Sequence, residues 1–364
     1  MELSGKVLTP EGLRSGTLVF GERIEAFRPG KAPERFVLPG FIDLHVHGGA
    51  GADAMEGEAA VRKLARFHAR HGTTALLATT VTAPRGDLER ALVGIEAVRL
   101  GRRSGEARVL GAHLEGPWIS PKKLGAQPPY ARPPERAEVE GLLEIARVGV
   151  VTLAPEVEGA IELVRLLVAR NVRPQIGHTA GTFADARAAL EAGATGFTHF
   201  YNAMTGLHHR APGVVGAGLL LARFAELIAD GLHVAPEAAR LLFKNVPGSY
   251  VVTDAVAAAG MPDGRYPLGR YQVEKRADGV YLEDGTLAGS TLTMDRALRN
   301  LVAWGDSLEE ASAKLSRLPA LYLGLRDRGE ISPGKFADLV VLTPALEVEE
   351  VYVEGERIDP QDAA

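Results

Sequence analysis

Ten histidines and no cysteine occur among the 364 residues, so an ion held by this chain would need imidazole and carboxylate ligands rather than thiolates. Asp43-Leu-His45-Val-His47 sets two imidazoles two residues apart, which on a strand turns both to one face, where they can chelate one ion. Similar endings recur in His113-Leu-Glu115, Gly177-His178-Thr, Thr198-His199-Phe-Tyr-Asn202, Ala229-Asp230-Gly-Leu-His233 and Thr253-Asp254-Ala. Each residue alone has an ordinary reading, such as a hydrogen-bonded core His113 or a turn-capping Asp230. Their repetition after apolar runs points elsewhere: several buried ionisable groups need partners, and one divalent cation satisfies several at once. The chemistry open to such a site is Lewis-acid activation of water beside a carboxylate. The remaining histidines read as structural. His68 and His71 end a predicted helix, where a cation suits the dipole, and His208 and His209 sit in a Gly-rich loop.

The stretches that must position these groups are short, apolar and β-branched, each followed by helical periodicity, the pattern of repeated βα units. Strands are predicted at 41–46, 73–81, 109–114, 150–153, 174–177, 196–200, 227–229 and 250–253, and helices at 58–71, 87–103, 134–147, 159–170, 184–192 and 236–243. This alternation predicts an α/β fold, a (β/α)8 TIM-like barrel over 38–337, whose sites lie at the C-terminal ends of the strands. An open doubly wound sheet is the rival, but no Gly-x-Gly-x-x-Gly turn follows the first strand. Residues 3–27 and the segment from 337 onward alternate apolar and polar positions, and Gly355-Glu-Arg-Ile358 echoes Gly21-Glu-Arg-Ile24. The two ends, 1–37 and 338–364, are expected to pair into one small β-sandwich domain.

Hydrophobic residues make up 46% of the chain and charged residues 24%, a balance that excludes disorder and coiled coil. A net charge of -5 gives no general attraction for nucleic acid or anionic lipid, so an anionic ligand would need local positive groups. The N-terminus lacks the features of a signal peptide, and the apolar stretch 214–232 is broken by Arg223, Glu226 and Asp230. A cytoplasmic protein with no membrane or nucleic-acid partner is expected.

Leu38-Pro-Gly-Phe-Ile-Asp-Leu-His-Val-His-Gly48, His113-Leu-Glu-Gly-Pro-Trp118, Thr198-His-Phe-Tyr-Asn-Ala-Met204, Ile228-Ala-Asp-Gly-Leu-His-Val234, Val252-Thr-Asp-Ala255, Leu287-Ala-Gly-Ser-Thr-Leu-Thr-Met294 and Gly334-Lys-Phe-Ala-Asp-Leu-Val340 together resemble the amidohydrolase superfamily. Within it they resemble the N-acetylglucosamine-6-phosphate deacetylases. The resemblance covers nearly the whole chain. It implies Glu115, His178 and His199 as ligands of a catalytic metal, and His45 and His47 as ligands of a second ion found in part of the family. It implies Asp254 as the catalytic carboxylate. Asn202, Ala203, Arg210 and His233 would hold the sugar phosphate, with Arg210 reaching in from a partner subunit as one option. Ala126 and the Leu287-Ala288-Gly289 turn would line the sugar pocket. A divalent metal follows, zinc first and iron, manganese or cobalt compatible, at one or two ions per subunit, together with a small-molecule amino-sugar phosphate as substrate and a homodimer.

One position departs from the family pattern. Where members carry a His twelve residues after the ligand Glu, this chain has Gln127, whose amide can donate to an oxyanion but supplies no charge. Three alternatives stand beside the main reading. Cyclic amide hydrolases of this superfamily use a carbamylated Lys ending strand four, and no Lys occurs between Lys123 and Lys244. An N-acetylgalactosamine-6-phosphate deacetylase differs only in one hydroxyl orientation of its substrate. A non-catalytic binding protein on the same fold would be expected to have lost ligands, and this chain retains every one.

Overall fold

In the computed structural model, which describes residues 1–277 and 279–358, the apolar runs form a ring of eight strands. Six join in one parallel sheet, Phe41–Val46, Thr73–Thr80, Arg108–Glu115, Val148–Leu153, Arg173–Ile176 and Gly196–Phe197, paired in chain order. Glu226–Ile228 and Tyr250–Val252 form a second parallel pair. Backbone hydrogen bonds close the gaps. Phe200 N–H donates to Glu226 O at 2.8 Å, and Asp254 N–H donates to His45 O at 2.9 Å. Helices Glu58–Arg70, Arg85–Leu100, Arg136–Ile145, Ala160–Ala169, Phe183–Ala192 and Pro236–Asn245 follow the predicted stretches to within a few residues, and Gly213–Leu221 supplies a further one. Strand residues here are buried on both faces, as a helix-covered barrel requires.

The seam between the first and last barrel strands is also held by a side chain. Asp43 is fully buried and accepts from the Thr253 hydroxyl at 2.6 Å and from the backbone N–H groups of His45 and Thr253 at 3.2 Å. One carboxylate thus fixes the level of His45 against that of Asp254.

Two additions sit on the barrel. The two chain ends combine into one seven-stranded sheet in which Phe36–Pro39 pairs with Glu2–Thr9 on one side and with Leu339–Leu342 on the other. This sheet encloses its own core of Leu3, Val7, Leu18, Phe20, Val37, Leu339, Val341 and Tyr352. The two echoing turns meet there. Gly355 has φ +79°, and a Cβ on it would lie 2.1 Å from the Gly21 carbonyl oxygen. Of the predicted small-domain range, 359–364 lie outside the described residues.

The second addition was not anticipated. Gly264–Leu268, Tyr271–Arg276, Gly279–Tyr281 and Leu287–Ser290 form a four-stranded antiparallel sheet after the eighth barrel strand. Its first turn is tied to the barrel mouth: Gly269 N–H donates to the buried Asp53 Oδ2 at 2.7 Å, and Arg270 pairs with Asp87 Oδ2 at 2.7 Å.

The expectation of a helix-end cation fails at His68. It is fully buried, its Nε2 sits 2.9 Å from the Gly48 carbonyl oxygen, and burial pushes its pKa down to about 4, so it packs as a neutral ring. His71 caps the same helix and pairs with Asp295 at 3.2 Å.

Replacing Asp43 by Leu should cost roughly 3–5 kcal/mol in denaturant unfolding of metal-free protein, since three buried donors lose their acceptor. Asp43→Asn, which keeps one carbonyl oxygen, should lose clearly less. Equal midpoints for the two variants would show that the seam does not depend on these hydrogen bonds.

Candidate metal centre and active site

Glu115 and His45 lie within their strands, whereas three other polar residues are delivered where the chain turns sharply as its strand stops. His178, His199 and Asp254 have φ values of 46°, 28° and 52°, and Ala203 in the same mouth has 51°. Non-glycine residues in the left-handed region each cost on the order of 1–3 kcal/mol and persist only where packing imposes them. Their concentration here marks a rim where side-chain direction overrides backbone comfort.

The result is a buried knot of donor atoms centred on Glu115. Its Oε1 lies 3.0 Å from His178 Nε2 and 2.9 Å from His199 Nε2, and the two Nε2 atoms are 3.0 Å apart. His178 gives its Nδ1 proton to the Lys123 carbonyl oxygen at 2.8 Å, so in the neutral ring Nε2 holds a lone pair aimed at other lone pairs. Such crowding is unfavourable unless something positive sits among the three atoms. Spacings near 3 Å suit an ion with ligand bonds of ~2.0–2.2 Å.

Glu115 also faces a second group. Its Oε2 lies 3.2 Å from His47 Nε2, its Oε1 3.6 Å from His45 Nε2, and the two Nε2 atoms are 3.1 Å apart. Asp254 Oδ1 completes the ring at 3.2 Å from His47 Nε2 and 3.5 Å from His45 Nε2. Glu115 therefore belongs to both clusters, with Oε1 reaching His178, His199 and His45 and Oε2 reaching His47. Burial works against charge on His47, yet hydrogen bonds and the field of Asp254 and Glu115 raise it to about 9. Burial alone would raise Asp254 as well, but His45 and His47 bring it down to about 2. The two shifts are one interaction seen from its two sides: the imidazoles and the carboxylates each stabilise the other's charged form.

The mouth opens into a cavity of about 340 Å³ lined by His47, Glu115, Ala126, Gln127, His178, His199, Asn202, Ala203, His233, Asp254, Leu287 and Gly289. His45 lies beneath its floor, fully buried. Gln127 is held by both ends of its amide. Its Oε1 accepts from the Thr82 N–H at 2.6 Å, which leaves Nε2 to donate to Glu115 at the cavity floor. Asn202 Nδ2 donates back to the His199 carbonyl oxygen at 3.2 Å. His233 Nδ1 is 2.6 Å from Asp230 Oδ2, while Asp230 Oδ1 accepts from the N–H groups of Leu232 and His233. Burial disfavours charge on His233, but Asp230 overrides it and raises the imidazole above its ordinary value.

Two expected pocket residues stand elsewhere. Ala288 alternates with Leu287 and Gly289 along a strand, so it turns away into the core of the four-stranded sheet beside Val256 and Val273. Arg210 is exposed on a turn, 2.8 Å from His209 Nε2, and does not line this chain's own cavity. His113 keeps its ordinary role: Nδ1 reaches the Leu44 carbonyl oxygen at 3.0 Å and Nε2 the Thr152 hydroxyl at 2.8 Å. The cavity also gains residues not anticipated: Lys122, Lys123, Val81, Val256, Leu268 and Thr286. The two lysines follow the Leu-Glu-Gly-Pro-Trp motif in sequence, a cue available from spacing. Leu268 and Thr286 come from the added sheet, which carried no barrel pattern.

The amidohydrolase family model matches residues 36–358. An N-acetylgalactosamine-6-phosphate deacetylase from Escherichia coli O157:H7 is 46% identical over 328 residues, covering 88% of this chain and 87% of that protein. An N-acetylglucosamine-6-phosphate deacetylase from Vibrio furnissii is 40% identical, covering 88% and 82%. Among solved structures, an N-acetyl-D-glucosamine-6-phosphate deacetylase variant from Mycobacterium smegmatis, in complex with N-acetyl-D-glucosamine-6-phosphate, superposes with a TM-score of 0.93 at 36% identity, covering 99% of both chains.

Chelator-treated protein should melt lower than protein given stoichiometric Zn2+. A ligand at ~1,000 times its Kd adds about 4 kcal/mol, which for a chain this long is at least about 5 °C. Glu115→Gln should abolish most of that gain, and an unchanged melting temperature in the parent protein would count against a cation at this knot.

Proposed function

Because the chain belongs to the amidohydrolase family, we propose that it hydrolyses the acetamide of N-acetyl-D-glucosamine 6-phosphate to D-glucosamine 6-phosphate and acetate. The observation that carries this reading is the meeting, in one cavity, of the Glu115–His178–His199 cluster, Asp254 and the Asp230-paired His233. A divalent cation bound by Glu115, His178 and His199, with a second at His45 and His47, would supply Lewis acidity and bring a water's pKa toward ~7. Zinc is the expected ion, and iron, manganese or cobalt would suit the same donors.

The chain's own residues divide the remaining work. Asp254, with Oδ1 turned to the cluster and its carboxyl held ionised, accepts the proton of the attacking water and returns it to the departing nitrogen. Gln127 offers its Nε2 hydrogen to the developing oxyanion, oriented by the Thr82 N–H on its other end. Asn202 and the left-handed Ala203 shape the wall beside His199. His233 holds the phosphate, and Ala126 with Leu287 and Gly289 lines the sugar. Arg210 is assigned to the phosphate of a neighbouring subunit, where a planar fork of donors fits, in a cytoplasmic homodimer. Binding at the phosphate end places the acetamide at the cation.

Two measurements test this. Asp254→Asn should lose at least about 1,000-fold in kcat with metal content unchanged; near-normal turnover would remove the carboxylate from the mechanism. Assays on both epimers should favour the gluco sugar phosphate over the galacto sugar phosphate. The reverse order would transfer the assignment to the N-acetylgalactosamine activity.

The His233 pKa gives a pH dependence. Its raised value holds the ring cationic to higher pH than an ordinary imidazole, while a phosphate monoester becomes a dianion above ~6. Attraction is therefore strongest between these limits and fades as pH rises through the His233 value. KM should climb on the alkaline side, and Asp230→Asn should move that climb to lower pH. A KM profile unaltered by Asp230→Asn would separate His233 from phosphate binding.

A further inference from the structure

The reaction above gives no task to a carboxylate buried directly beside the cation cluster. Glu226 opens the seventh barrel strand, is fully shielded from solvent, and lies below the cation cluster rather than in the cavity. Four groups surround it. Its Oε2 is 3.1 Å from His45 Nδ1 and 3.3 Å from the His199 N–H, and its Oε1 accepts from the Tyr250 hydroxyl at 3.2 Å. Tyr250 is oriented in turn by the Gln175 amide at 2.8 Å. His113 is the fourth neighbour. His45, His113 and Glu226 bring ligand atoms within 4.8 Å of one another, the spacing of a possible ion site. That site is ruled out by chemistry: both His113 nitrogens are engaged, by Leu44 O and by Thr152, so His113 has no lone pair to give. Among the described imidazoles, Glu226 thus hydrogen-bonds the ring of His45 alone.

We propose that Glu226 is a positioning residue that fixes His45 as an Nε2 donor and thereby sets the affinity of the second cation position, formed by His45, His47 and Glu115. This rests on the two-position reading given above. The argument is one of tautomer and direction. With its Nδ1 proton committed to Glu226, the His45 ring presents the Nε2 lone pair toward Glu115 and Asp254, at 3.6 and 3.5 Å. Without the carboxylate the proton is free to move to Nε2, which would cancel the donor, and the ring loses its only hydrogen bond on that edge. Carboxylates behind ligating imidazoles typically contribute 10–100-fold to metal affinity.

The test is stepwise Zn2+ binding by competition with a chromophoric chelator, on protein stripped of metal, for the parent chain, Glu226→Ala and Glu226→Gln. The parent should take up two ions. Glu226→Gln keeps shape and one acceptor oxygen but loses the charge, and should weaken the second ion about tenfold at an unchanged metal-free melting temperature. Glu226→Ala should weaken it about a hundredfold, with the first ion altered much less. Parent-like affinity for the second ion in a folded Glu226→Gln and Glu226→Ala overturns the inference. So does equal weakening of both ions, which would mark a general structural role. A parent chain that binds one ion only overturns the two-position reading itself, and the inference falls with it.

Discussion

Everything in this molecule answers to the concentration of carboxylate and imidazole groups around Glu115. Its two oxygens are shared by four histidines, with Asp254 alongside, in a space that solvent barely enters. Charges packed this way attract cations strongly because no water screens them. The same packing would destabilise the fold if the groups were left uncompensated. The barrel therefore has to hold several mutually repelling lone pairs in place until something positive joins them.

How it does so explains much of the architecture. The strands end just where their side chains are needed, and left-handed turns at His178, His199 and Asp254 swing those side chains inward. Asp43 and Thr253 lock the first and last strands in register, so His45, His47 and Asp254 share one level. Beneath them runs a polar layer in which Thr152, Gln175, Thr198, Tyr250 and Glu226 are linked by direct hydrogen bonds. At the cavity, backbone groups orient two of the side chains: the Lys123 carbonyl oxygen fixes His178 and the Thr82 N–H fixes Gln127.

The sequence made the barrel legible because its strands are short, apolar and regularly followed by helical periodicity. The cluster was legible for the same reason: an ionisable residue at the end of an apolar strand stands out. Glu226 reads in the sequence only as a break in an apolar stretch, because it begins a strand rather than ending one, and a charge there looks like a boundary. The four-stranded sheet over the mouth escaped notice. Its alternation carries no link to the barrel repeat, and what places it is a tertiary tie, Asp53 to Gly269. Ala288 shows the limit of motif reasoning at single-residue scale, since one pleat sends it into a core while its neighbours face the cavity. His68 shows the same for electrostatics: its place at a helix end suggested a charge, and burial removes it.

The seven-stranded sheet has a bearing on how the chain matures. Phe36–Pro39 leaves the ribosome early, but its antiparallel neighbour Leu339–Leu342 is made some three hundred residues later. Until then one side of that strand has unpaired peptide groups, an edge open to wrong partners. Sequence separations this large slow folding, because the closure entropy is spent before the contact forms. Synthesis is thus accompanied by a long interval in which the barrel can assemble while its appended sheet is still half built, and that interval is where chaperone capture or misassociation would be concentrated.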